Sequence, residues 1–196
     1  MSEETMQKRN ITNISRKGLT ITDILLVGVL LAAGAVLKFF VGALFTAGMK
    51  PNFIIAMYCL AIMLIKPRFL EAVVIGILAG VVCQFFPGTP YINLVSELVG
   101  AAVMYLLLLV PIKLDIGKIS IKPIFTTFIA TLFSGFTFLG VLYILFYAGA
   151  NVKTIPVAIF IGIILGTAVV NAVIVEVLYI PLKLALGKKV ANDTVS

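Results

Sequence analysis

Six apolar runs, each cut short by proline, glycine or a small cluster of lysine and arginine, limit what this chain can fold into more than any other feature. The first covers residues 22–46, and a helix crosses a hydrocarbon core in about 20 residues at roughly 1.5 Å each. The others lie at 52–65, 69–86, 91–110, 123–147 and 156–186. Their limits fall on ordinary helix punctuation: Pro51 ahead of the second, the Lys66-Pro67-Arg68 turn after it, the Pro87-Gly88-Thr89-Pro90 turn after the third and Pro111 after the fourth. In the sixth, Pro181 marks a kink or an early end.

With 62% of its residues apolar and a mean hydropathy of +1.21, the chain belongs in lipid rather than in water. The expected fold is an all-α membrane protein of about six transmembrane helices, with a polar segment at 1–21, the helical domain at 22–186 and a tail at 187–196. The first run is too long for a secretory signal, so it reads as a retained helix. A net charge of +7 does not point to nucleic acid, because the basic residues sit in short clusters between the runs, where they orient a bundle and meet anionic lipid headgroups. With the N-terminus inside, all but Lys38, Lys50 and Lys153 of the 15 basic residues fall on the inner side, so both termini are expected in the cytoplasm of a bacterial cell, in its inner membrane.

The second run is too short to cross alone. Either the Gly48-Met49-Lys50-Pro51 stretch before it enters the membrane as irregular backbone, or the helix is tucked among its neighbours; irregular backbone at that depth is tolerated where it lines a cavity.

Covalent chemistry finds no support. The chain has no His, its two cysteines, Cys59 and Cys83, stand alone in apolar runs, and there is neither a phosphate-binding glycine loop nor a nucleophile elbow. No metal, cofactor or enzymatic role is expected. The polar residues inside the runs carry the information instead, since a charge at mid-bilayer costs about 3 kcal/mol or more unless it is paired or faces water.

Asn93 and Glu97 lie four residues apart and share one face of the fourth helix, with Ser96 beside them. Glu97 can meet a substrate ammonium, Lys50 or Lys38. Lys50 reads either as an interfacial lysine that snorkels to headgroups or as the receptor for a carboxylate, with Asn52 next to it. Asn171, midway along the sixth run, makes either an interhelical hydrogen bond or a substrate contact. Gln84 is a weaker candidate at the outer end of the third helix, and Glu176 lies nearer the inner side. Phe85, Phe86 and Tyr91 flank the Pro87–Pro90 turn, where they either stack on a planar ligand or form an interfacial belt. Small residues at Gly28, Ala32 and Ala35 form a smooth stripe on the first helix, a theme repeated by Gly76 and Gly80 and by Gly162 and Gly166.

The Leu30–Lys38 run, Gly48-Met49-Lys50-Pro51-Asn52, the Lys66–Arg68 turn, Val74–Gly80, Pro87-Gly88, Ile92-Asn93, Ser134-Gly135 and the pieces between Val169 and Pro181 resemble the bacterial tryptophan transport protein family, a relative of the substrate-binding S components of energy-coupling factor transporters. The resemblance implies a six-helix protein that binds a small nutrient near the outer face. It also implies docking through the Gly28, Ala32 and Ala35 stripe onto a transmembrane coupling subunit that works with two ATPase subunits. Lys50, Asn93 and Asn171 would then be polar groups of the pocket. Ser96 and Glu97 depart from the family pattern after the fourth-helix asparagine, which leaves the ligand open between tryptophan and a related aromatic compound. The alternative is a stand-alone carrier driven by an ion gradient, with Glu97 or Glu176 as its intramembrane carboxylate.

Overall fold

The structure, a computed structural model, describes residues 18–43, 51–89, 91–111, 115–116 and 119–187. Six helices account for nearly all of it: α1 (Ile21–Ala43), α2 (Ile54–Ile65), α3 (Phe69–Cys83), α4 (Ile92–Leu109), α5 (Lys122–Tyr147) and α6 (Val157–Ala185). Strands β1 (Asp115–Ile116) and β2 (Ile119–Ser120) form a minimal antiparallel ladder between α4 and α5. The protein is an all-α membrane protein in which α1, α4, α5 and α6 are long and apolar enough to cross a bilayer, while α2 and α3 are shorter.

Local chemistry sets the breaks. Lys66 takes the left-handed conformation (φ 51°) that closes α2, its N–H donating to Ile62 O at 2.9 Å. Pro67 prevents continuation, and the Arg68 N–H donates to Glu71 Oε2 at 2.7 Å to start α3. At the other end of α3 the side chain of Gln84 donates to Gly80 O (3.0 Å) and accepts from the Tyr91 N–H (3.1 Å), clamping the α3–α4 turn. Pro181 does not end α6, which continues to Ala185 with the proline inside it.

With 12 residues, α2 is about 18 Å long. It does not need to reach both headgroup layers, because eleven of those residues are buried and the helix touches each of the other five. Tyr58, Leu60 and Ile62 are fully enclosed there, making α2 the axis around which the main core forms. A smaller apolar cluster of Ile92, Leu142, Phe160 and Ile164 packs between α4, α5 and α6. The outer faces of the long helices carry apolar side chains such as Leu25, Val29, Val169 and Val173, which suits contact with lipid tails.

The closest helix contact is between α3 and α4. A Cβ on Gly76 would stand 2.7 Å from Glu97 O, and one on Gly80 would stand 2.7 Å from Leu94 Cα, so the missing side chains let α4 lie directly on α3. Gly162 and Gly166 have open space instead and face outward.

Candidate functional site

At one end of the bundle lies a cavity of about 600 Å³, within the range of small-molecule sites. Its rim includes Pro87-Gly88-Thr89 after α3 and Asn151-Val152-Lys153 ahead of α6, and the latter loop is tied to α5 by Tyr143 Oη donating to Ile155 O at 2.8 Å.

The wall is divided by chemistry. The polar part, from α1, the start of α2 and α4, carries Lys38, Asn52, Asn93, Ser96 and Glu97. The apolar part, from α5 and α6, includes Phe138, Phe160, Ile163 and Ile164, the two rings tilted by 33° with centroids 5.9 Å apart. Thr131, Ser134 and Thr167 supply hydroxyls along the α5 and α6 sides.

Glu97 is buried, and the α3–α4 glycine contact described above fixes its backbone. Asn52 Nδ2 donates to Glu97 Oε1, and Ser134 Oγ donates to Glu97 Oε2 at 3.2 Å. Asn52 also meets Cys83: its amide and the thiol lie 3.7 Å apart, and Lys38 Nζ donates to the same sulfur at 3.3 Å. Cys83 is therefore more than a small apolar filler, because it links the lysine to the asparagine. Tyr58, buried beneath this group, places its hydroxyl against Gly100, beside Ser134 and Glu97, without a hydrogen bond of good geometry.

Of the residues singled out in sequence, Asn52, Asn93 and Glu97 line one shared cavity. Lys50 lies outside the described residues. Asn171 sits behind the wall, where its Nδ2 donates to Asn52 O (3.1 Å) and Thr131 Oγ1 (3.5 Å), holding the irregular start of α2 against α5 and α6. Gln84 is spent on the α3–α4 turn. Gly28 and Ala32 face outward and Ala35 is half-buried. Phe85 and Tyr91 are 83% and 72% exposed and point away from the cavity, whereas Phe86 lies under Lys38. Sequence reasoning passed over the hydroxyls of α5; Thr127, Thr131 and Ser134 recur at three- and four-residue spacing inside an apolar run, and that was the signal for a polar face.

Among the described residues no group of His, Cys, Asp and Glu is arranged to hold a metal ion. What the cavity offers is an acid and a base together with aromatic and aliphatic side chains.

Comparison with known proteins yields two findings. Residues 20–186 match the family described as tryptophan transporter TrpP. A probable tryptophan transport protein of Clostridium acetobutylicum is 32% identical over 139 residues, which cover 69% of this chain and 77% of the relative. No solved structure matches the chain.

Proposed function

The chain belongs to the tryptophan transporter TrpP family, and on that premise we propose that it is the substrate-binding membrane subunit of an uptake system of the energy-coupling factor type in a bacterial cell membrane, with tryptophan or a close aromatic relative as its solute. The observation that carries the reading is a cavity that brings a buried carboxylate and a buried lysine together with an aromatic pair. Glu97, presented by Asn52 and Ser134, meets the solute's ammonium, Asn93 adds a polar contact, and the indole packs against the Phe138–Phe160 pair and its aliphatic neighbours. Lys50 is a second contributor on the strength of its place in the sequence beside Asn52.

The coupling part of the proposal rests on α1. Beyond Gly28 there is open space and Ala32 is exposed, so this side of the helix is free to receive a coupling subunit carrying the two ATPases. With no phosphate-binding loop of its own, the chain takes its energy from that partner.

Thermal unfolding of the purified protein against a panel of amino acids and vitamins tests the substrate. Tryptophan at a hundred times its dissociation constant stabilises the protein by about 2.7 kcal/mol. No shift with any aromatic amino acid, together with a shift from an unrelated vitamin, sinks the assignment. Deleting the ATPase subunits abolishes uptake and leaves binding unchanged; uptake that persists on an ion gradient alone indicates the stand-alone carrier instead.

A further inference from the structure

Lys38 is only 7% exposed, yet it borders the cavity. Among the described residues its ammonium has two partners, the Cys83 sulfur at 3.3 Å and the Phe86 ring, whose centre lies 5.2 Å away. A thiol is a weak acceptor and a ring offers only its quadrupole, so neither cancels a full charge enclosed within a membrane bundle. Glu97 is the one carboxylate among the described residues that line the cavity, but its two oxygens are engaged by Asn52 and Ser134 rather than by Lys38. The cation and the anion therefore border the same space with Cys83 and Asn52 between them, attracting each other across it while each is hydrogen-bonded only by neutral groups.

We propose, resting on the amino-acid reading of the cavity above, that Lys38 is the receptor for the solute's carboxylate. A free amino acid then bridges the two charges, with its ammonium on Glu97, its carboxylate on Lys38 and its side chain against the Phe138–Phe160 pair. This makes α1 part of the binding site and restricts the solute to molecules bearing both groups. To reach Lys38 the carboxylate displaces nothing stronger than a thiol contact. Lys153 at the rim is exposed, so its charge is already hydrated and creates no comparable demand.

The test uses three ligands on the full-length protein: L-tryptophan, tryptamine, which lacks the carboxylate, and indole-3-propionate, which lacks the ammonium. The parent is expected to bind tryptophan at least tenfold more tightly than either analogue. Lys38→Met is expected to weaken tryptophan at least tenfold while leaving tryptamine unchanged, and Lys38→Arg to restore part of the loss. Equal loss of both ligands in Lys38→Met, or no loss of tryptophan, overturns the proposal. Should Lys38→Met fail to fold, the parent decides: tryptamine bound as tightly as tryptophan leaves no role for a carboxylate receptor. An unrelated amino acid that binds with the same Lys38 dependence, where tryptophan does not bind, removes tryptophan as the substrate and keeps Lys38 in its role.

Discussion

The side-chain amide of Asn52 donates to Glu97, joining the irregular start of α2 to the second turn of α4 across 45 residues of sequence. The same residue's backbone carbonyl accepts from Asn171, 119 residues away, so one asparagine ties α2, α4 and α6 together at the cavity wall. Removing it leaves a buried carboxylate short of a donor. Asn52→Ala is expected to lower stability by about 1–3 kcal/mol and to weaken solute binding in the same variant. Chemical or thermal unfolding in detergent, followed by a binding titration, checks both.

Glu97→Gln keeps the size of the side chain and the ability to accept from Ser134 while removing the charge. The variant is expected to fold, with stability within about 1 kcal/mol of the parent, since a desolvated charge is often replaced without loss. Its affinity for tryptophan is expected to fall at least tenfold, read by equilibrium binding. Parent-like affinity removes Glu97 from the site.

The aromatic slot makes a different demand. Phe138→Leu and Phe160→Leu roughly conserve volume, and such swaps cost less than about 1.5 kcal/mol of stability. Loss of a ring partner for the indole is expected to cost about 1 kcal/mol of affinity, or roughly fivefold. Leucine as a competing ligand serves as the control, because its binding does not depend on ring stacking.

Gly80→Ala places a carbon 2.7 Å from Leu94 Cα and 2.9 Å from Asn93 O, contacts that backbone cannot relieve by a rotamer change. The expected result is a loss of about 1–3 kcal/mol and reduced solute binding, since α4 carries Asn93 and Glu97. Gly162→Ala meets nothing within 4 Å and is expected to be neutral or stabilising by up to about 1 kcal/mol. Parallel melting curves of the two variants separate a packing glycine from a lipid-facing one.

Gly100 and Tyr58 supply a paired test. A Cβ at position 100 runs into the Tyr58 hydroxyl, which is buried beside Glu97 and Ser134 without a hydrogen bond of good geometry. Tyr58→Phe is therefore expected to be neutral or slightly stabilising. Gly100→Ala alone is expected to destabilise, and Tyr58→Phe in the same chain to rescue most of that loss, a coupling measurable in a double-mutant cycle.

Much of this arrangement was legible before any coordinates. The shortness of the second apolar run announced a helix that does not cross alone, and Asn93 with Glu97 followed from helical spacing within a single element. Asn52 was visible because it sits beside a proline at the start of that helix. Other features depended on pairings that spacing does not encode. Asn171 has the same local sequence whether it faces solute or holds Asn52, and only the three-dimensional path of a segment 119 residues away decides between them. Lys38 was ambiguous for a related reason: α1 is apolar on every side, so its pattern gives no direction to the one cation it carries inside the bundle. Cys83 looked inert because a thiol's hydrogen bonds arise from neighbours supplied by α1 and by the segment before α2.

Synthesis from the N-terminus delivers α2 before α4, α5 and α6, the helices that cover much of its surface in the finished bundle. For that interval its apolar side chains have only α1, α3 and lipid or the insertion machinery to lie against. The axis of the protein is thus placed early but enclosed late, and the cavity, which needs walls from α4, α5 and α6, cannot exist until the last helix has arrived.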